Sequence, residues 1–309
     1  MTRPKLLIDC DPGHDDAVAL LFGARHFDLV GVTTTHGNSS LANSTRNALA
    51  LLELGGIDVP LAEGFAQPLV GATVDAAHVH GKSGLDGHDL PPPTRKPIDA
   101  HAVDFIIESA RRHQGELILA VIGPQTNVAV ALKREPKLRT WLREITVMGG
   151  SAAGGNVTPA AEFNIYCDPE AAAVVFGCGV PIRMVGLDVT RRTGFDDADI
   201  ARLRASGRRV AGVIADLVSF YLARQRAVFA RAVASMHDVC ALVPYVDEAL
   251  LETDGAMVRV ECAGIHTRGA TVCDLRGARN MSEPPVRLAV RSDARALIDR
   301  VIDTLLTYP

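Results

Sequence analysis

The chain has few aromatic residues and no excess charge of either sign. Aromatics make up 5% of its 309 residues, and 32 basic against 36 acidic side chains leave a net charge of -4. A surface that binds nucleic acid combines a basic patch with stacking aromatics, so this composition argues against a nucleic-acid partner. The longest uncharged, mostly apolar run, 117–132, is interrupted by a Gly-Pro pair and is shorter than the ~20 residues of a membrane-spanning helix. We expect no membrane partner.

Cysteine is sparse, and the N-terminus lacks an apolar stretch. The six cysteines form no CxxC pair, which excludes a zinc ribbon and a thioredoxin motif and predicts reduced thiols. Asp9 follows only a short apolar run, so no signal-peptide core is expected. Together these features predict a cytoplasmic protein.

Short apolar runs alternate with segments of helical period through the first 190 residues. The pattern predicts strands at 5–10, 29–35, 117–122, 145–148 and 182–186, with helices between them. Such alternation indicates an α/β fold with a single open, mostly parallel sheet and helices on both faces. Three segments interrupt it, at 64–98, 149–164 and 188–237, and a few short strands and a closing helix follow. We interpret residues 1–309 as a single domain with inserted active-site loops.

Four carboxylates lie within eight residues in the segment DCDPGHDD. Asp9 and Asp11 end the first predicted strand, while Asp15 and Asp16 open the following helix. Ligands of open α/β sheets bind at this edge, and acids this close repel one another unless a cation or protons intervene. Oxygen ligands favour Ca²⁺ or Mg²⁺. The alternative is that one or two of these acids cap the helix and the others are solvated.

Three further polar clusters follow predicted strands or inserted loops. Glu162 and Asn164 are one residue apart, so in extended backbone both would point the same way, and Asn156 precedes them in a Gly-rich loop. Such groups suit sugar hydroxyls, although a solvated loop is the alternative. Asn38 lies in the turn TTHGNSS. Asp238, after His237, either joins the acidic cluster or caps the helical run behind it.

The order of these motifs resembles the inosine–uridine nucleoside hydrolases. The segments that carry the resemblance span almost the whole chain and are DCDPGHDDAVAL, THGN, HGKSGLDG, IGPQTNVA, GNVTPAAEFN and HDVCA. The resemblance implies one open α/β domain that hydrolyses the N-glycosidic bond of ribonucleosides to ribose and free base. It also implies one Ca²⁺ that activates the attacking water, and a homo-oligomer, dimeric or tetrameric.

The resemblance also implies roles for individual residues. Asp11 would be the general base, and the metal ligands would be Asp11, Asp16, the backbone carbonyl of Thr126, and Asp238. The ribose-binding residues would be Asp15, Asn38, Asn156, Glu162, Asn164 and Asp238. His237 and His80 would lie near the leaving base and are the candidates for its protonation.

The resemblance also bears on base preference. Gln225 stands where purine-preferring members often carry a tyrosine, and Phe229 stands where pyrimidine-preferring members often carry one. His14 is similar to the pyrimidine-preferring branch, which leads us to expect uridine and cytidine as substrates. A purine-preferring or broad-specificity hydrolase is the alternative.

Two other functions are compatible with parts of the sequence. The pair Asp9 and Asp11 after the first strand resembles the DxD of Mg²⁺-dependent phosphohydrolases, but GNVTPAAEFN has no role in that chemistry. A non-catalytic nucleoside-binding homologue would require the loss of a matched position, and none is lost.

Overall fold

The computed structural model describes residues 3–276 and 286–309. Nine strands form the main sheet in the order β10-β9-β11-β6-β5-β4-β1-β2-β3. Their bounds are β1 Lys5–Cys10, β2 Asp28–Thr34, β3 Leu61–Glu63, β4 Leu117–Val121, β5 Leu142–Met148, β6 Ile182–Val185, β9 Leu251–Val260, β10 Thr271–Asp274 and β11 Val286–Ser292. The strands from β3 across to β11 pair in parallel, and β9 pairs antiparallel with both β11 and β10.

Helices cover the sheet, and a short antiparallel pair, β7 Gly194–Phe195 with β8 Ala234–Ser235, lies outside it. The α-helices are α1 His14–His26, α2 Leu41–Leu54, α3 Ala77–His80, α4 Ala102–Arg112, α5 Thr126–Arg134, α6 Leu138–Trp141, α7 Phe163–Cys167, α8 Pro169–Phe176, α9 Leu187–Thr190, α10 Asp197–Ala205, α11 Arg209–Phe229 and α12 Ala294–Leu305. Short 3₁₀ helices span Asp238–Ala241, Val243–Tyr245 and Glu248–Leu250.

The central strands are buried on both faces, as expected for a parallel sheet. In β1, Leu6 and Ile8 join the core beneath α1, α2 and α11, while Leu7 joins the core beneath α4, α5 and α8. This alternation follows from the two-residue period of a strand, and it explains why β1 reads as an unbroken apolar run. The predicted fold class, an open and mostly parallel α/β sheet, is confirmed.

The sequence prediction missed or misread some elements. The three-residue edge strand β3 and the β7–β8 pair are too short to give a periodic signal. Glu162 to Asn164 is not extended, because α7 begins at Phe163 and Asn164 lies in its first turn. Part of the predicted C-terminal strand region, 277–285, lies outside the described residues.

We propose that residues 1–309 form a single domain. Strands from both ends of the chain lie in one sheet, and α12 packs against α1, where the Tyr308 hydroxyl donates to the Leu21 carbonyl at 2.7 Å. We therefore expect one cooperative thermal unfolding transition in calorimetry. Two well-separated transitions would contradict a single domain.

Candidate active site

A pocket opens at the carboxyl ends of the parallel strands. β1, β2, β4 and β5 are neighbours in the sheet, so the residues that follow them meet at one edge. Ten of the residues chosen from the sequence line this pocket: Asp15, Asn38, His80, Asn156, Glu162, Asn164, Gln225, Phe229, His237 and Asp238. Asp11 and Asp16 are fully buried beside it, and Thr126 lies elsewhere.

Three buried carboxylates converge at the floor of the pocket. Asp15, Asp16 and Asp238 each have a carboxylate oxygen within 4.8 Å of the other two. Asp15 and Asp16 lie in the first turn of α1, where the helix dipole favours negative charge. Asp238 is the first residue of a 3₁₀ helix that packs against α1, and the N-cap of this helix is His237 rather than Asp238. The three residues could hold a metal ion.

Asp11 lies beside this group and is tied to it by hydrogen bonds. Its Oδ2 accepts the backbone N–H of Asn38 at 2.7 Å, and its own N–H donates to Asp16 Oδ1 at 3.3 Å. Asp16 Oδ2 also accepts from Gly13 N at 2.9 Å. By contrast, the buried Oδ1 atoms of Asp11 and Asp15 have no hydrogen-bond partner among the described residues. These two atoms are available to a cation.

Two glycines allow backbone to approach Asp11 closely. Gly37, in the turn after β2, has φ +149°, and a Cβ on it would lie 2.0 Å from Asp11 Oδ2. A Cβ on Gly123, after β4, would lie 2.5 Å from Asp11 Oδ1. Any larger residue would displace this carboxylate, which explains both glycines physically.

Burial and mutual repulsion disfavour ionisation of the whole cluster. Burial raises the pKa of Asp11, Asp15 and Asp238 well above the usual range, and neighbouring carboxylates raise it further. Burial also raises the pKa of Asp16, to about 6, although hydrogen bonds from backbone N–H groups limit the rise. Without a cation, burial in the folded protein therefore favours the protonated forms of Asp11, Asp15 and Asp238.

The opposite wall of the pocket is built by the start of α7. Glu162 is the N-cap of this helix: its Oε1 accepts Asn164 N at 3.0 Å, and its Oε2 accepts Gly150 N at 2.9 Å. Asn156 Oδ1 accepts Phe163 N at 2.9 Å. A helix N-terminus, rather than an extended segment, thus brings Asn156, Glu162 and Asn164 to one wall.

Thr126 does not reach the pocket. It is the first residue of α5, and its hydroxyl donates to Asp168 Oδ2 at 2.7 Å and lies 3.0 Å from His36 Nε2. The residue that lines the pocket at this strand end is Ile122, whose carbonyl accepts Asn164 Nδ2 at 2.8 Å. The backbone oxygen available near the acids is therefore that of Ile122, four residues before Thr126.

The far half of the pocket is aromatic and basic. Tyr221, Gln225 and Phe229 are spaced four residues apart on one face of α11, and Arg231 follows the helix. His80 and His237 complete this half, and burial lowers the pKa of both, that of His237 to about 3. Tyr221 and Arg231 were not selected from the sequence, although the Tyr-Gln-Phe spacing in a helical segment was a readable signal. His14 was named only as an indicator of base preference.

His14 orients His80 from behind. Its Nε2 lies 2.7 Å from the Asp86 carbonyl, which can only accept, so this nitrogen carries the proton. Burial lowers the pKa of His14 to about 4, which leaves the ring neutral and its Nδ1 unprotonated. That Nδ1 lies 3.0 Å from His80 Nδ1, which also accepts the backbone N–H of His14 at 3.4 Å. These two contacts hold the His80 ring against the start of α1.

A family model described as inosine-uridine preferring nucleoside hydrolase matches residues 6–299. The chain belongs to this family. The predictions of a nucleoside hydrolase and of an enzyme are confirmed, and the phosphohydrolase alternative is excluded.

Individual nucleoside hydrolases match over nearly their full length. A protein of Shewanella woodyi named pyrimidine-specific ribonucleoside hydrolase RihA is 40% identical over 313 residues, covering 100% of this chain and 99% of the relative. A solved plant nucleoside hydrolase is 34% identical with a TM-score of 0.92, covering 99% of both chains. The purine-preferring ribonucleoside hydrolase from Gardnerella vaginalis is 30% identical with a TM-score of 0.93, covering 98% of both.

The helices and cysteines of this nucleoside hydrolase bear on whether it could span a membrane or form disulfides. Across residues 3–276 and 286–309, every helix falls short of the length and apolarity that a membrane crossing requires. All six cysteines lie in the described ranges and carry free thiols.

Proposed function

We propose that this nucleoside hydrolase cleaves pyrimidine ribonucleosides, uridine and cytidine, to ribose and free base in a Ca²⁺-dependent reaction. The observation that carries the proposal is the division of one pocket into two chemically different halves. Carboxylates and amides of Asp11, Asp15 and Asn164 suit a ribose, whereas Tyr221 and Phe229 suit a planar base. The pyrimidine-specific name of the 40% identical relative supports the same preference.

The residues at the floor fit a hard divalent cation. We propose that Asp11, Asp16 and Asp238 hold it together with the Ile122 carbonyl, which replaces the Thr126 carbonyl in this role. All four are oxygen donors, the set that Ca²⁺ prefers, and the unpartnered Asp11 Oδ1 is explained by such an ion. When bound, the ion supplies Lewis acidity, which lowers the pKa of water and polarises sugar hydroxyls.

The chain's own residues then orient the sugar and move a proton. Asp11 accepts a proton from the attacking water as general base. Asp15, Asn164 and Asp238 hold the 2'- and 3'-hydroxyls, and Asn156 and Glu162 hold the 5'-hydroxyl. The backbone N–H of Asn38 donates to Asp11 Oδ2 and so keeps the carboxylate of this general base oriented. The surrounding carboxylates stabilise the positive charge that develops on the ribosyl ring.

The base half recognises the leaving group. Gln225 is buried with its Oε1 unpartnered among the described residues, so it can accept a hydrogen bond from a base. His80 and His237 line the same pocket, within reach of the leaving base. Purine or broad specificity remains the alternative substrate class, because Phe229 lacks the hydroxyl of pyrimidine-preferring members.

The proposed location and oligomeric state are those expected from the sequence. We propose a cytoplasmic enzyme, in keeping with its free thiols, and a homo-oligomer, dimeric or tetrameric. Light scattering that gives the mass of a single chain would contradict the assembly.

Ribose release should require both the metal and the sugar hydroxyls. Purified protein should liberate reducing sugar from uridine faster than from inosine, and a strong chelator should abolish the reaction until Ca²⁺ is added. A site built to bind hydroxyls should also reject 2'-deoxyuridine by roughly 10⁴-fold in kcat/KM. Comparable values for uridine and 2'-deoxyuridine, or full activity in metal-free protein, would overturn the proposal.

Base preference should depend on the side chains at 225 and 229. Phe229→Tyr adds one hydroxyl at the base half, and one hydrogen bond contributes about 1 kcal/mol. We expect the ratio of kcat/KM for uridine to that for inosine to rise about fivefold. Phe229→Leu is the matched control, since it changes shape without adding a hydroxyl and should not raise the ratio. An unchanged ratio in Phe229→Tyr and in Gln225→Ala would assign base selection to the loop from His78 to His88.

A further inference from the structure

We propose that Arg231 is a catalytic residue that stabilises the negative charge on the departing base. This inference rests on the proposed function and adds a leaving-group role to the base half of the pocket. It concerns a residue that the motifs of the sequence did not single out.

Arg231 is held at the base half by its neighbours. Its guanidinium carbon lies 5.0 Å from the centre of the Phe229 ring, and its Nη1 donates to Ser235 Oγ at 3.1 Å. Ser235 in turn donates its hydroxyl proton to the Arg191 carbonyl at 3.2 Å, so its lone pairs face Arg231. Stacking and this hydrogen bond fix one edge of the half-buried guanidinium, and other N–H groups remain available to a ligand.

Arg231 carries a positive charge that the other described residues lining the pocket do not supply. Among the described residues that line the pocket, it is the only arginine or lysine. His80, across the same half, is buried and its pKa is lowered, so it contributes a neutral ring. Burial also lowers the pKa of Arg231, but a guanidinium keeps its proton at neutral pH. Arg231 therefore adds a permanent positive charge to a pocket whose other permanently charged lining groups are carboxylates.

The chemistry of the step requires such a charge. As the bond between C1' and the base nitrogen breaks, its electron pair stays on the base. For uracil the charge spreads to the adjacent O2 and, through the C5–C6 double bond, to O4. The water oxygen bonds to C1', and its proton passes to Asp11. The base leaves as an anion and takes up a proton from solvent, and Asp11 releases its proton to solvent, so that nucleoside and water yield ribose and neutral base. The carboxylates near the sugar repel this anion, and Arg231 offsets the repulsion.

A leaving group that is already a stable anion should not need Arg231. We would compare uridine with 4-nitrophenyl β-D-ribofuranoside in the parent, Arg231→Gln and Arg231→Lys. Removing one preorganised charge that acts in the transition state typically costs ~10²–10³-fold in kcat. Arg231→Gln should lose that much on uridine and less than about fivefold on the nitrophenyl riboside, while Arg231→Lys should lose less on uridine.

The matched control is Arg226→Gln, which removes the same charge five residues earlier. Arg226 pairs with Asp197 outside the pocket, so its loss should leave both substrates unchanged. Equal losses on both substrates in Arg231→Gln would assign Arg231 a structural role, and an unchanged uridine rate would exclude any role; either result overturns the inference. If Arg231→Gln fails to fold, the same ratio is measured in Arg231→Ala. A parent enzyme that releases ribose from no nucleoside would instead refute the proposed function itself.

Discussion

Repulsion among buried carboxylates at the end of β1 is the constraint on which the rest of the site depends. Asp11, Asp15, Asp16 and Asp238 are all buried, and burial raises the pKa of each. Hydrogen bonds from Gly13, Asn38 and the first turn of α1 offset only part of this cost. A cluster of this kind persists when protons or a cation compensate it, so the floor of the pocket fits an ion and the hydroxyls that an ion can bind.

The same constraint gives the pocket its polarity. Negative groups gather where a ribosyl cation would form, while Arg231 and the aromatic side chains of α11 line the part of the pocket that we assign to the base. Bond cleavage separates charge along this direction, with the positive part on the sugar and the negative part on the base. A pocket whose fixed charges match that separation stabilises the transition state more than the ground state.

The sequence predicted the sugar half better than the base half, for physical reasons. Asp11 directly follows β1 and Asp16 lies in the first turn of the next helix, and the parallel sheet brings neighbouring strand ends together. Ile122 was missed because it contributes a backbone carbonyl, which leaves no side-chain signature. Arg231 was missed because it follows a long helix whose orientation depends on tertiary packing against α1 and α3.

Helix starts and short strands were the other source of error. The segment from Glu162 to Asn164 looked extended, yet Glu162 caps a five-residue helix that is too short for a periodic signal. Glu162 and Asn164 nevertheless both line the pocket, so the sequence identified the right residues although it predicted the wrong backbone conformation for them.

The compensation of these carboxylates by a cation is tested most directly by thermal unfolding of metal-stripped protein at about pH 5.5 and pH 8. A carboxyl whose pKa is higher in the folded than in the unfolded protein binds more protons in the folded state, so it stabilises the folded state at low pH. This stabilisation is lost as the pH rises through the pKa in the folded protein, which is about 6 for Asp16. The account predicts that the metal-free unfolding temperature falls between the two pH values, and that Ca²⁺ raises it by several degrees more at pH 8 than at pH 5.5. A metal-free protein equally stable at both, with no response to Ca²⁺, would contradict it.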